Sequence, residues 1–174
     1  MPSHKHNGFT LIELIIVIVI LGILAVTAAP KFIDISTDAT IAKLQGMQGA
    51  LRSGTKLIYA KALIQDKVSA DDTITVGTAT IALHSGYPTG HFNDSMRYIV
   101  NLDHVWALSS SAVICDTDWC GRGNQTTLPS GITTPGLLGK IYPKGYSFDD
   151  QCGVYYINNQ DGSAPVIGLE TDQC

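Results

Sequence analysis

The amino-acid sequence predicts an α+β fold: one long N-terminal α-helix, its first half hydrophobic and protruding, its second half packed on an antiparallel β-sheet. Three observations lead there. Residues 9–29 form an apolar run interrupted by a single charge, Glu13. Leu44, Met47, Leu51, Gly54, Ile58 and Ala62 then recur at three- and four-residue steps, the stripe of a helix lying on a sheet. After residue 72 the pattern becomes short β-branched segments separated by Gly, Pro, Asn and Asp. One helix followed by strands is the α+β order. A chain of 174 residues fits one domain with an appended helix.

The composition narrows the function classes. The formal charge is −4 and the basic residues are scattered, so nothing in the charge pattern points to a nucleic-acid surface. The four cysteines all lie in the last third, and an even count behind an export-type segment predicts disulfides formed outside the cytoplasm.

At about 1.5 Å per residue, the run from Phe9 to Ala29 makes a helix of roughly 30 Å, the thickness of a bilayer's hydrocarbon core. The preceding MPSHKHNG is short and carries Lys5, so this end stays on the cytoplasmic side. An ordinary signal peptide has a shorter apolar core of about 7–15 residues, and a plain anchor gives no reason for an acid at position 13. The remaining reading is a specialised leader cut between Gly8 and Phe9 that leaves the helix on the mature chain. The cut would create a cationic α-amino group on Phe9, with Glu13 four residues along on the same helical face.

Gly8-Phe9-Thr10-Leu11-Ile12-Glu13-Leu14 followed by a long apolar helix resembles the type IV prepilin motif. IVILGILAVTAAPKF at residues 18–32 and the later Gly86-Tyr87-Pro88 are similar to the mannose-sensitive haemagglutinin (MSHA) branch of pilins. The strong resemblance covers residues 8–60. It implies a leader at residues 1–8, a transmembrane and filament-core helix at 9–30, and a globular head at 31–174. It further implies that a membrane peptidase cuts after Gly8 and N-methylates Phe9. Glu13 can then satisfy the Phe9 amine of its own chain or that of an adjacent identical subunit, and pairing with the adjacent subunit is the expectation. A wrong stagger would leave both charges buried and unpaired. Gly22 and Pro30, two weak points in a helix, bound a segment that by resemblance loses helical structure in the fibre, the alternative being an intact, gently curved helix. The implied partners are identical subunits, the prepilin peptidase, an inner-membrane assembly platform with its ATPase, membrane lipid before assembly, and a surface or glycan receptor. No nucleic acid and no cofactor are expected. The implied role is that of a major pilus subunit, single-pass in the inner membrane and then extracellular, serving adhesion, surface attachment and biofilm formation.

From residue 31 the chain continues as a helix to about residue 65, with Lys43, Arg52, Lys56 and Lys61 off the apolar stripe. Gly46, Gly49 and Gly54 each weaken it by about 1 kcal/mol relative to Ala, and close approach to other backbones is one justification. TITV, Gly77-Thr78 and ATIAL read as a hairpin, and 85–88 as turn chemistry. Phe92, Met96, Ile99 and Val100 predict a short helix over 91–101. Residues 105–108 and 112–114 are strand candidates, and 116–136, rich in Gly, Thr, Pro and Asp, reads as loop. Ile141-Tyr142, 153–157 and 165–169 complete the strands, with a reverse turn over 158–164.

Four cysteines allow three pairings, of which two local disulfides, Cys115–Cys120 and Cys152–Cys174, are the simplest. The Cys152–Cys174 pair resembles the C-terminal disulfide loop of type IV pilins; the Cys115–Cys120 pair departs from the family's two-cysteine pattern. A zinc site drawing on these cysteines with His104 or His91 is disfavoured by export. Asp116, Asp118, Asp149, Asp150, Asp161 and Asp172 lack the spacing of a calcium loop. Ser109, Ser110 and Ser111 have no obvious base beside them, and no nucleophile elbow or phosphate loop is present. The chain is therefore expected not to be an enzyme. The triplets starting at Asn93 and Asn124 fit a glycosylation sequon. Trp119, Tyr142, Tyr146, Tyr155 and Tyr156 offer aromatic rings for a sugar-binding face, against which Tyr155 and Tyr156 should alternate between core and surface. A minor pilin or secretion pseudopilin shares the leader and helix, with the Cys-bounded C-terminus weighing against the pseudopilin. An exported binding domain or enzyme on a plain anchor is the alternative of a different class.

Overall fold

The computed structural model describes residues 9–100, 106–107 and 111–174; the side chains of 27–34 and 106–107 lie outside that description. The protein is α+β. Helix α1 (Leu11–Ile64) is followed by a three-stranded sheet of β1 (Asp72–Val76), β2 (Ala79–His84) and β3 (Tyr87–Pro88). A π-helical turn (Phe92–Met96) and a single α-turn (Arg97–Ile99) lead to a five-stranded sheet. Its strands, in spatial and chain order, are β4 (Trp106–Ala107), β5 (Trp119–Thr127), β6 (Thr133–Pro143), β7 (Gly153–Asn158) and β8 (Val166–Glu170). Pairing is antiparallel in both sheets except between the short β4 and β5, which run parallel. The chain divides into two compact units, Met1–Ala39 and Thr40–Cys174.

The predicted stripe on α1 is the core. Leu44, Met47, Leu51, Ile58 and Ala62 are buried in one cluster with Ile74, Ile81, Leu83, Phe92, Met96, Ile141, Val154 and Tyr156. α1 begins two residues after Phe9, ends one residue before the expected 65, and runs through Gly22 and Pro30 as helix. The β1–β2 hairpin turns at Gly77-Thr78, where Gly77 takes a positive φ of 62°. The two sheets are tied together at one carbonyl: the Tyr156 hydroxyl and the Asn158 amide both donate to Pro88 O, at 2.6 and 2.9 Å.

Four expectations are corrected. Residues 116–136 are not loop but hold β5 and the start of β6, the longest pairing in the larger sheet. Gly121 belongs there because a Cβ would fall 1.8 Å from Phe92 Cε2; the strand is glycine-rich so that the Phe92 turn can sit on it. Residues 112–114 form no strand, and Val113 and Ile114 are exposed. Residues 85–88 are not all turn, because Tyr87 and Pro88 pair with His84 and Leu83 as β3. Tyr142 is fully buried, so it offers no binding face.

Tyr142 is buried because the larger sheet is covered on both sides. Ile141, Val154 and Tyr156 face the α1 core, whereas Leu138, Tyr142 and Ile157 join Cys115, Cys120, Leu128 and Phe148 in a second cluster. A strand covered on both faces shows no alternation, and β6 is buried almost continuously from Leu138 to Pro143.

Candidate functional site

The front of α1 is a reciprocal hydrogen-bonded cap. Thr10 precedes the first helical residue, and its hydroxyl accepts the Glu13 backbone N–H at 3.3 Å. In return Glu13 Oε2 accepts the Thr10 backbone N–H at 2.9 Å and the Thr10 hydroxyl at 2.7 Å. Those are the two halves of a capping box, which satisfies donors that the first helical turn otherwise leaves unpaired. Both bonds converge on Oε2, so Oε1 remains open as an acceptor among the described residues. The Thr-x-x-Glu spacing was the available sequence signal for Thr10, which reasoning from charge alone passes over.

Every side chain from 9 to 26 is exposed, Phe9 at 87%. A contiguous apolar surface of this extent marks an interaction surface. Among the described residues no helix is long and apolar enough to cross a membrane. The apolar run whose side chains are described stops at residue 26, short of the roughly 20 helical residues a span takes. Gly8 lies outside the described residues, as does the side chain of Pro30. Among the described residues nothing lies within 4 Å of a Cβ added at Gly22 beyond its own stretch of helix.

All four cysteines are paired, Cys115 with Cys120 and Cys152 with Cys174, so no thiolate is left to bind zinc. His104, Ser109 and Ser110 lie outside the described residues. The loop before Cys152 is organised by a residue that no motif announces. Lys140, fully buried on β6, donates to Phe148 O at 3.1 Å, to Asp150 O at 2.6 Å and to Glu170 Oε2. Glu170 Oε1 in turn accepts the Ser130 N–H at 3.1 Å. Burial lowers the Lys140 pKa, and the Glu170 carboxylate opposes that shift. A buried ion pair persists when its remaining polar groups are hydrogen-bonded, as these are. One ammonium thereby joins β6, the 143–152 loop, β8 and the turn at Ser130.

Of the aromatic residues, Trp119 and Tyr146 share a groove of about 530 Å³ with Lys43 and Lys144. Tyr156 is buried in the α1 core and Tyr155 is half-buried against the second cluster, so the two point to opposite faces but neither is a surface residue. Asn124 is exposed, whereas the Ser95 of the other sequon is buried and bonded to Ala82 O.

Residues 3–29 match the family of the prokaryotic N-terminal methylation motif. A type IV narrow pilus major component, PilA5, of Thermus thermophilus is 48% identical over 63 residues, 36% of this chain and 51% of that protein. The chain thus spans about half the length of the curated relative it matches. No solved structure matches.

Proposed function

We propose that this chain is a major subunit of a type IV pilus. In this reading it is made as a precursor, cut between Gly8 and Phe9, methylated on Phe9, and polymerised through residues 9–30. The observation that carries it is the coincidence of two features. Residues 3–29 match a methylation motif, and residues 9–26 present an uncovered apolar helix surface directly behind the cut. A helix of that kind is stable only in lipid or against copies of itself, which correspond to the states before and after assembly. The role of PilA5, a pilus major component, supports the same role here.

Cleavage leaves the Thr10 N–H in place, so the capping box survives while a new amine appears on Phe9. Glu13 is already oriented by Thr10 and keeps Oε1 for the amine of a neighbouring subunit. Assembly energy comes from a partner ATPase through an inner-membrane platform. The finer reading, an MSHA-type fibre for surface attachment and biofilm formation, rests on the similarity of residues 18–32 and Gly86-Tyr87-Pro88. The head, residues 31–174, carries the disulfide-bounded loop as the surface offered to a receptor.

Mass spectrometry of the mature N-terminal peptide tests this. It should begin at Phe9 and carry one methyl group on its amine. A chain beginning after Ala28, or one retaining Met1, overturns the proposal.

A further inference from the structure

A groove of about 350 Å³ opens beside the second half of α1. Its features are built rather than incidental. The β2–β3 turn holds Ser85 and Gly86 at positive φ, 53° and 81°. A Cβ on Gly86 would lie 3.0 Å from Tyr59 Cε2, so glycine lets this turn close over the helix. The turn thereby lays Tyr87 on Tyr59, with ring centroids 4.1 Å apart and planes inclined by 5°. Pro165 lines the groove with this aromatic pair. Arg52 is held at its edge by a 3.2 Å bond to Ile167 O, and Lys56 is exposed beside it with no partner among the described residues. Thr55 also lines the groove; it is 5% exposed, and its hydroxyl makes no hydrogen bond among the described residues. A helical threonine normally returns its hydroxyl to a backbone carbonyl one turn back. Here the hydroxyl is buried and unmet, on a residue that lines the groove together with Arg52 and Lys56.

We propose that this groove binds one uronate ring of an acidic polysaccharide. The C–H face of the sugar lies on the tyrosine pair, the carboxylate meets Arg52 and Lys56, and a ring hydroxyl pairs with Thr55 Oγ1. Four features select this chemistry. A hydroxyl that lacks both donor and acceptor partners is matched by another hydroxyl, which supplies either. Arg52 and Lys56 on one groove favour an anionic group, and Arg52 keeps guanidinium donors beyond the one it gives Ile167 O. The tyrosines already stack on each other at 4.1 Å, which closes the gap that a flat nucleobase would need for a two-sided stack. The volume is at the lower end of small-ligand sites and suits a ring rather than a folded peptide segment.

The site lies within residues 52–167 and does not depend on fibre formation. It is therefore tested on the full chain as a detergent-solubilised monomer, with digalacturonate as the probe, by calorimetry and ligand-observed NMR. Binding should weaken with added salt, and digalactose should bind at least about tenfold less well because the charge-assisted bonds are gone. Thr55→Val and Lys56→Gln should each weaken binding by about fivefold or more. Thr55→Val should also melt at or above the parent temperature, since it removes a buried hydroxyl that has no partner, so lost binding is not lost folding. Equal binding of digalactose, or full affinity in both variants, overturns the proposal. So does preferential binding of a mononucleotide or an acidic peptide.

Discussion

Glu13 has two separable jobs. Its carboxylate closes the capping box with Thr10, and its charge is available to the Phe9 amine of a neighbour. Glutamine at the same position keeps the box, because a side-chain amide oxygen accepts the Thr10 N–H as well. Glu13→Gln should therefore leave the helicity of the detergent-solubilised chain unchanged. The yield of sheared fibres should fall by roughly tenfold or more, because an amine left without its counter-charge among packed helices is costly to bury. Unchanged yield would reduce Glu13 to a cap. Lys140 is the opposite kind of residue, with its partners all inside its own chain, and nothing in the residues around it announces them.

At the scale of elements, the glycines of α1 divide into two groups. Beyond their own stretch of helix, Gly46 and Gly49 have no atom of the described residues within 4 Å of an added Cβ, whereas at Gly54 that carbon would sit 2.4 Å from Ile99 O. Glycine in a helix interior costs about 1 kcal/mol relative to alanine. Gly46→Ala and Gly49→Ala should each stabilise the solubilised monomer by about that amount, and Gly54→Ala should destabilise it by pushing the Arg97–Ile99 turn off the helix. Thermal unfolding by circular dichroism reads both signs. Within one subunit, close backbone approach thus explains Gly54 and not the other two. β5 follows the same logic as Gly54. Its glycines make room for Phe92, and that requirement erased the β-branched pattern by which strands are recognised.

For the molecule as a whole, alkaline pH is the informative axis. Burial pushes the Tyr142 pKa up to about 12, with Arg122 pulling the other way, and holds Tyr156 well above its ordinary value. Between pH 10 and 12 the unfolded chain releases these protons while the folded chain keeps them, so stability falls as pH rises through that window. Lys140 acts with the opposite sign: its pKa is lowered on folding, so its contribution rises as pH approaches 10.5 from below. Tyr142→Phe should leave stability at pH 7 equal or higher, because the Tyr142 hydroxyl is buried without a partner among the described residues. It should also flatten the decline between pH 10 and 12. Urea unfolding across pH 7–12 measures both, and an undiminished slope would show that Tyr142 ionises freely in the folded chain. The disulfides stand outside this titration. Loop closure gives the Cys152–Cys174 bridge, with a sequence separation of 22, about 3 kcal/mol, and the five-residue Cys115–Cys120 loop about 2 kcal/mol.

The features legible in the chain are those written within a few turns of backbone. The length of α1, its buried stripe, the hairpin at Gly77 and the Thr-x-x-Glu front are periodic or local signals, whereas the sequence leaves three cysteine pairings open and the fold selects the two local ones. Tertiary structure alone decided what depends on residues far apart in sequence. Tyr142 is interior because a second cluster covers the outer face of the sheet. Lys140 is buried because Glu170, thirty residues away, supplies the counter-charge. The stack of Tyr87 on Tyr59 exists because the Ser85-Gly86 turn closes over the helix. Periodicity reports which face of an element is apolar; it carries no information on which second element, or how many, will cover it.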